Sequence, residues 1–205
     1  MKKNIVVIGN GMVGHRFCEK LFEFNGLERY HVVVLGEEPR PAYDRVHLTR
    51  YFEDGKSEQD LSLCSATWYS EHGFDLRMGV RATDIDRRKK LIRTDFGDVL
   101  PYDHVVMAMG SSCFIPPIPG IDKKGVFPYR TIDDLDRIMA YSDTAKRAAV
   151  MGGGLLGLEA AKAMYDLGME THVVEFAPRL MPRQLDEAGA AVLKTKIEEL
   201  DVQVH

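Results

Sequence analysis

Cysteine is scarce in this chain, and its spacing argues against several kinds of site. Only three cysteines, Cys18, Cys64 and Cys113, occur among 205 residues, and no two of them stand in a CxxC or CxxxxC arrangement. We therefore expect free, buried thiols rather than structural disulfides, a metal cluster or a dithiol that carries electrons to a disulfide substrate. The seven histidines are dispersed, so we predict no metal site.

Long apolar runs and a basic field are also missing. No stretch approaches the ~20 apolar residues needed to cross a bilayer, and the first residues lack a cleavable signal pattern, so we expect a cytoplasmic protein with no membrane contact. The net charge is −4, and the basic run at 87–90 falls where a hairpin turn is expected, so we expect no nucleic-acid partner. Hydrophobic residues make up 45% of the chain, which argues against disorder.

Glycine, by contrast, is concentrated in two GxGxxG fingerprints, at 9–14 and 152–157. Each follows a short, largely apolar run and precedes apolar residues at helical spacing. In this context the pyrophosphate of a dinucleotide lies on the helix N-terminus. A lone fingerprint is weak, but two with the same flanking pattern predict two dinucleotide sites, and hence hydride transfer between a flavin and a nicotinamide.

An acidic residue follows the second strand after each fingerprint. Glu37 lies 23 residues after Gly14, and Glu175 lies 18 residues after Gly157. This is near the spacing at which a carboxylate accepts hydrogen bonds from the ribose hydroxyls of a dinucleotide. Because a carboxylate repels the 2′-phosphate of NADPH, Glu175 predicts a preference for NADH, which the nearby Arg179 could weaken.

The order of the predicted elements indicates an α/β fold with two Rossmann-like, doubly wound parallel-sheet units. Short strands at 75–78, 80–86, 90–94 and 99–100 are predicted to form a small antiparallel β-ribbon inserted in the first unit. The proline-rich segment 114–120 is the candidate linker, giving domains at 1–117 and 118–205. The second unit is expected to be truncated, since a doubly wound domain usually has more strands.

Helices complete this prediction. One is expected around 65–72, and another is expected to begin at Thr131, with Asp134 completing a weak capping box. The last helix precedes a strand at 202–204. Its predicted inward residues are Leu185, Ala188, Val192, Leu193, Ile197 and Leu200.

Five runs carry a resemblance to known proteins: GEEPRPAYDR at 36–45, WYSEHG at 68–73, PPIPG at 116–120, GGGLLGLEAAK at 152–162 and VEFAPRLMPRQLD at 174–186. Together they resemble the pyridine nucleotide-disulfide oxidoreductase superfamily. Within it, the chain is most similar to the N-terminal part of the large subunits of NAD(P)H-dependent assimilatory nitrite reductases. The last run is the most specific to those subunits.

The resemblance implies that the first fingerprint binds FAD and the second binds NAD(P)H. It assigns the adenosine ribose of FAD to Glu37 and places Arg45 and Arg50 along the flavin. Residues 108–110 match the family's Ala-Thr-Gly signature, with Met109 in place of threonine. The residues so assigned to cofactor binding are Gly9, Asn10, Gly11, Met12, Val13, Gly14, Glu37, Glu38, Arg45, Arg50, Ala82, Ala108, Gly110, Gly152, Gly154, Leu155, Leu156, Gly157 and Glu175.

The resemblance also implies a catalytic pair. Related reductases place a lysine at the position of Arg50, near the reactive flavin nitrogen, and pair it with a glutamate at the position of Glu159. A fixed cation there stabilises the charge of the reduced flavin, and arginine keeps that charge as a planar fork. Taken from the residues alone, a surface arginine and an unrelated helical glutamate are the favoured explanation of both positions, and the resemblance reverses this preference.

Three functions follow as hypotheses. The first is an electron-input module that passes electrons from NADH through FAD to downstream domains or a small subunit, whose iron–sulfur and sirohaem centres reduce nitrite to ammonia outside this chain. The second is a free-standing ferredoxin or rubredoxin reductase or an NADH oxidase, although the loop 36–50 lacks the thiol that cysteine-dependent oxidases need. The third is a non-catalytic FAD- and NAD-binding redox sensor. A homo-oligomer is compatible with all three.

Overall fold

A computed structural model describes residues 2–53 and 56–205 of the chain. The chain divides into two compact units. The first comprises Met1–Val46 and Leu61–Ser112, and the second comprises His47–Asp60 and Cys113–His205. Residues 47–60 therefore belong to the second unit although they lie within the sequence of the first. The prediction of cofactor domains at 1–117 and 118–205 stays a prediction.

Strands and helices alternate along most of the chain. No helix in the described ranges has both the length and the apolar character that crossing a bilayer requires. Two 3₁₀ helices occur at Gly26–Glu28 and Leu48–Phe52. The regular elements are β1 (Lys3–Ile8), α1 (Met12–Glu23), β2 (Tyr30–Gly36), α2 (Glu58–Leu61), α3 (Ala66–Glu71), β3 (Asp75–Met78), β4 (Ala82–Asp86), β5 (Leu91–Thr94), β6 (Val99–Pro101), β7 (His104–Met107), α4 (Ile132–Ser142), β8 (Arg147–Met151), α5 (Leu155–Asp166), β9 (Glu170–Val174), α6 (Glu187–Glu198) and β10 (Gln203–Val204).

The first unit is built on a parallel sheet with strand order β3-β2-β1-β7. Its central strands are apolar on both faces because both faces are covered. On one face Val7 and Val34 pack with Cys18 and Tyr69 from the helices, whereas on the other Val6 packs with the antiparallel sheet. The predicted α/β fold with a parallel sheet and an antiparallel insertion is confirmed.

The antiparallel insertion is smaller than predicted. It contains only β4, β5 and β6, in the order β4-β5-β6. The segment Asp75–Met78, which we expected in the ribbon, instead pairs parallel to β2 in the main sheet, with Asp75 opposite Val33. A short strand pattern carries no information on direction, and the α3 crossover that precedes β3 returns the chain parallel to β2.

The second unit contains a parallel sheet of order β10-β9-β8. Val173 in its middle strand is fully buried and packs with Ala161 of α5 and Leu180. The predicted capping box at the start of α4 is confirmed: the Asp134 N–H donates to Thr131 Oγ1, and the Thr131 N–H donates to Asp134 Oδ2. The unit thus repeats the β-α-β order of the first.

Helix α6 buries only part of the face predicted for it. Leu193 and Ile197 pack inward as predicted, together with the buried Ala190, whereas Val192 is 63% exposed and Leu200 is 50% exposed. The helix begins after Asp186, whose side chain accepts a hydrogen bond from the Gly189 N–H. With this start, the i, i+3, i+7 stripe that meets the sheet runs through the alanine rather than through the larger valine.

Candidate dinucleotide-binding sites

The first glycine turn lies where β1 ends and α1 begins. In the sheet order β3-β2-β1-β7, the chain leaves β1 toward β2 on one side and returns to β7 on the other. Ligands of open α/β sheets bind at the carboxyl ends of the strands on either side of such a reversal. Gly11 is the N-cap of α1, and Met12 and Val13 form its first turn, with Val13 70% exposed.

Each glycine of this turn has a separate role. Gly9 has φ +109°, and a Cβ there would lie 2.2 Å from the Ala108 carbonyl oxygen. A Cβ on Gly14 would lie 2.0 Å from the Gly9 carbonyl oxygen, so this glycine allows α1 to approach the strand end. A Cβ on Gly11 would meet no atom within 4 Å. Protein atoms therefore leave no room for a side chain at Gly9 and Gly14, whereas the space beside Gly11 is open.

The second glycine turn resembles the first, except that a Cβ on its first glycine, Gly152, would meet no atom within 4 Å. Gly152 also has φ +109°, and a Cβ on Gly157 would lie 1.8 Å from the Gly152 carbonyl oxygen. Gly154, the N-cap of α5, is open in the same way as Gly11. Leu155 and Leu156, in the first turn of α5, are 57% and 58% exposed. Both turns thus offer a free helix N-terminus of the kind that binds phosphate groups.

The acidic residues after β2 differ in their surroundings. Glu37 is exposed, and its carboxylate lies 3.8 Å from the Arg81 guanidinium. Glu38 is committed to the fold, since it accepts hydrogen bonds from the Tyr43 hydroxyl and from the Arg45 guanidinium. Arg45 also lies over the Tyr43 ring, 4.8 Å from its centroid. Glu37 is the more exposed of the two predicted acids, whereas Glu38 and Arg45 also hold the loop. The cofactor contacts of all three stay predictions.

Glu175, which follows β9, reaches the second glycine turn. Its Oε2 accepts a hydrogen bond of 2.6 Å from the Gly153 N–H, and its Oε1 accepts one of 2.7 Å from the Ala177 N–H. These bonds fix a half-buried carboxylate beside the turn. Lone pairs on both oxygens remain for further donors, because a carboxylate can accept about four hydrogen bonds.

Arg179 binds backbone carbonyls of the loop that follows β9. Its Nε–H donates to the Leu185 carbonyl oxygen at 3.2 Å, and its terminal nitrogen lies 3.4 Å from the Pro182 carbonyl oxygen. The guanidinium therefore holds the loop that follows β9. The expectation that Arg179 weakens a preference for NADH stays a prediction.

Arg50 and Glu159 lie on two elements that pack together in the second unit. Arg50 is an exposed residue of the 3₁₀ helix Leu48–Phe52, which packs against α5, and Glu159 is a half-buried residue of α5. Tyr129 holds the 3₁₀ helix by stacking on Phe52. In the part of the chain that the structure describes, no ion pair joins Arg50 to Glu159, and their catalytic pairing stays a prediction.

The remaining assigned residues lie at strand ends. The Ala108 N–H donates to the Ile8 carbonyl oxygen, which places the Ala108 carbonyl against Gly9. Gly110 adopts φ +70° and turns the chain after β7. Ala82 begins β4 and packs against the core between the two sheets of the first unit. The cofactor contacts of all three stay predictions.

Sequence reasoning assigned Asn10 to the first turn but missed the polar side chains of Tyr69 and His15 behind it. The Tyr69 hydroxyl donates to Asn10 Oδ1 at 2.6 Å, and His15 Nδ1 lies 3.0 Å from the Tyr69 hydroxyl oxygen. Within the described residues Asn10 Nδ2 is buried without a hydrogen-bond partner. Because 54 residues separate His15 from Tyr69, no local pattern could have joined them. An orphaned donor beside an open glycine turn fits a polar ligand such as a dinucleotide.

The cysteines are free in the described ranges. Cys18 is fully buried, and burial raises the pKa of its thiol to about 12. Cys64 and Cys113 are half-buried rather than fully buried as predicted. No group of three or more His, Cys, Asp or Glu side chains within residues 2–53 and 56–205 is arranged to hold a metal ion.

Two parallel sheets, each with a glycine turn at the end of its first strand and an acid after its second, define a protein with two dinucleotide-binding units. The chain belongs to the pyridine nucleotide-disulphide oxidoreductase family, whose model matches residues 3–205. The resemblance drawn from the sequence is confirmed at this level.

Known relatives are similar to this chain over its whole length. It is 50% identical over 204 residues to the nitrite reductase [NAD(P)H] large subunit of Klebsiella oxytoca and 49% identical to the nitrite reductase (NADH) large subunit of Escherichia coli K12. The match covers 100% of this chain but only 21% and 24% of those subunits. Among solved structures, a NAD-dependent persulfide reductase from A. fulgidus superposes with a TM-score of 0.91 at 28% identity, covering 98% of this chain and 39% of that one.

Proposed function

We propose that this chain is the electron-input part of an NADH-dependent nitrite reductase, with FAD in the first glycine turn and NADH in the second. The observation that carries the proposal is the matched geometry of the two turns, each with an open N-cap glycine at a helix start. The two large-subunit relatives favour nitrite reduction over the other reactions of the family.

The first turn supplies the groups that a flavin dinucleotide requires. The open space at Gly11 and the N-terminus of α1 suit its pyrophosphate, and the exposed Glu37 carboxylate suits its adenosine ribose. Asn10 adds a buried donor without a partner among the described residues. FAD, when bound, accepts two electrons together from a nicotinamide and releases them singly.

The second turn supplies the corresponding groups for NADH. The open space at Gly154 and the N-terminus of α5 suit the pyrophosphate, and Glu175 is fixed where it accepts hydrogen bonds from the adenosine ribose. Its negative charge disfavours a 2′-phosphate at the same place.

The later electron acceptors lie outside this chain in the proposal. Iron–sulfur clusters take four cysteine thiolates, whereas this chain has three cysteines that stand far apart in the sequence. We therefore assign iron–sulfur and sirohaem chemistry, and the reduction of nitrite itself, to downstream domains or to a partner subunit.

The preference of the enzyme for NADH over NADPH tests the role proposed for Glu175. We expect FAD-dependent reduction of ferricyanide with kcat/KM at least about tenfold higher for NADH than for NADPH, since a carboxylate repels the 2′-phosphate. Glu175→Gln keeps the shape of the side chain but removes its charge, and we expect it to reduce that ratio about tenfold. The measurement is the steady-state rate with each donor at one ionic strength.

Glu170→Gln is the matched control, because Glu170 is an exposed acid at the other end of β9. It should leave the ratio of the two donors unchanged. Equal kcat/KM values for NADH and NADPH in the wild-type protein would contradict the assigned role of Glu175. A Glu175→Gln variant with an unchanged ratio and normal unfolding would do the same.

A further inference from the structure

A chain of three polar side chains connects the interior of the first unit to its glycine turn. His15 is 4% exposed and Tyr69 is fully buried. His15 Nδ1 lies 3.0 Å from the Tyr69 hydroxyl oxygen, which in turn lies 2.6 Å from Asn10 Oδ1. His15 belongs to α1, Tyr69 to α3 and Asn10 to the turn itself, so the chain ties two helices to the turn.

The hydrogen bonds that join these three side chains all point from His15 toward the glycine turn. A phenol has a single proton, and Tyr69 donates it to the Asn10 carbonyl oxygen, so the contact with His15 requires the Nδ1–H of the imidazole as donor. Burial lowers the pKa of His15 and raises the pKa of Tyr69, which keeps both side chains neutral. The order is therefore His15 to Tyr69 to Asn10.

Packing holds His15, the innermost of the three side chains. The His15 ring meets the edge of the Trp68 ring, with 5.0 Å between centroids, and its Nδ1 lies 3.6 Å from the Cys64 sulfur. Burial raises the pKa of the Cys64 thiol, so this neighbour adds no charge at neutral pH. On its other side, His15 Nε2 lies 3.7 Å from the Glu19 carboxylate one turn further along α1. His15 is therefore held in place by rings, by a neutral thiol and by this acid.

This sequence of donors and acceptors determines which way the oxygen and nitrogen of the Asn10 amide face. Its oxygen faces Tyr69, which leaves Nδ2 as a buried donor without a partner among residues 2–53 and 56–205. The side chain lies against the end of β2, since a Cβ on Gly36 would be 2.9 Å from Asn10 Cβ. The amide thus lies between the glycine turn and the strand end that precedes Glu37.

We propose that Tyr69 and His15 are positioning residues for the dinucleotide of the first turn and act through Asn10. They hold the amide and the adjoining backbone in a fixed orientation before the ligand binds. An unpaired buried donor is costly in the ligand-free protein, and a polar ligand that provides a partner recovers this cost on binding. The inference rests on the proposed binding of FAD at this turn.

A double-mutant cycle on FAD affinity tests the inference. We expect Tyr69→Phe, which removes only the hydroxyl, to raise the Kd of FAD about tenfold, and Asn10→Ala to do the same. The double variant should bind FAD no more weakly than Asn10→Ala alone, because Tyr69 acts through that side chain. The Kd is measured from flavin fluorescence with the apoprotein, and urea unfolding of each apoprotein is measured in parallel.

Tyr102→Phe is the matched control. Tyr102 is a half-buried tyrosine of the same unit that packs against the other face of the sheet, and its replacement should leave the Kd of FAD unchanged. If Tyr69→Phe does not fold, His15→Phe, which keeps a ring but removes the donor, replaces it in the cycle with the same expected non-additivity.

Three results would overturn the inference but leave the proposed function intact. The first two are a wild-type Kd in the Tyr69→Phe variant and single effects that multiply in the double variant. The third is a tenfold effect of Tyr102→Phe, because the weaker FAD binding would then follow from any change in the core. A wild-type protein that binds no FAD would instead contradict the proposed function and remove the basis of the inference with it.

Discussion

Gly14→Ala is expected to destabilise the first unit by about 3 kcal/mol or more and to abolish FAD binding. The added Cβ would lie 2.0 Å from the Gly9 carbonyl oxygen, and this neighbour is backbone rather than the end of a flexible side chain. Helix α1 would have to move away from β1, which separates the helix N-terminus from the glycine turn. Urea unfolding of the apoprotein and FAD titration measure the two effects.

Gly11→Ala is the matched comparison within the same turn. Its Cβ would meet no protein atom within 4 Å, and its backbone, at φ −96° and ψ −167°, is extended and suits alanine. We expect unchanged stability within about 0.5 kcal/mol but at least tenfold weaker FAD binding, because the methyl group occupies the space that the pyrophosphate needs. A Gly11→Ala variant that binds FAD normally would show that the ligand does not approach the turn at this glycine.

Arg50→Ala is expected to slow the reduction of bound flavin by NADH about 100-fold. Removal of a charged group that stabilises the developing charge of a reaction typically costs this much in rate. The Kd of FAD should change much less, since the glycine turn and Glu37 are untouched. Rapid mixing of the flavin-loaded protein with NADH under anaerobic conditions measures the rate.

Arg50→Lys is the control for charge, and we expect it to keep most of the wild-type rate because it retains the cation. Glu159→Gln tests the proposed partner and should slow reduction less than the loss of Arg50 does. Unchanged reduction kinetics in Arg50→Ala would refute the catalytic role of this residue. An equal loss in Arg50→Ala and Arg50→Lys would mean that the guanidinium shape, and not the charge, is what matters.

The two glycine turns could be predicted from the sequence because each is a local pattern. Strand, turn, helix, second strand and acid follow one another within about 30 residues, and backbone sterics decide where glycine is needed. The structure adds what each glycine contacts: Gly14 and Gly157 face carbonyl oxygens of their own turns, whereas Gly11 and Gly154 are open. The capping box at Thr131 was predictable for the same local reason.

Features that depend on distant parts of the chain could not be predicted in this way. The pairing of β3 with β2 is set by the crossover through α3, and a four-residue strand carries no sign of it. The buried face of α6 depends on where Asp186 starts the helix. Likewise, Glu38 looks equivalent to Glu37 in the sequence, and only the structure shows that Glu38 binds Tyr43 and Arg45.

Anaerobic titration of the FAD-loaded protein with NADH tests the central claim most directly. The account predicts that the oxidised flavin absorbance disappears in proportion to added NADH, with an end point near one equivalent, since one hydride carries the two electrons that FAD accepts. A protein that binds FAD but keeps the oxidised spectrum in excess NADH would contradict the account, because the second glycine turn would then not deliver a nicotinamide to the flavin.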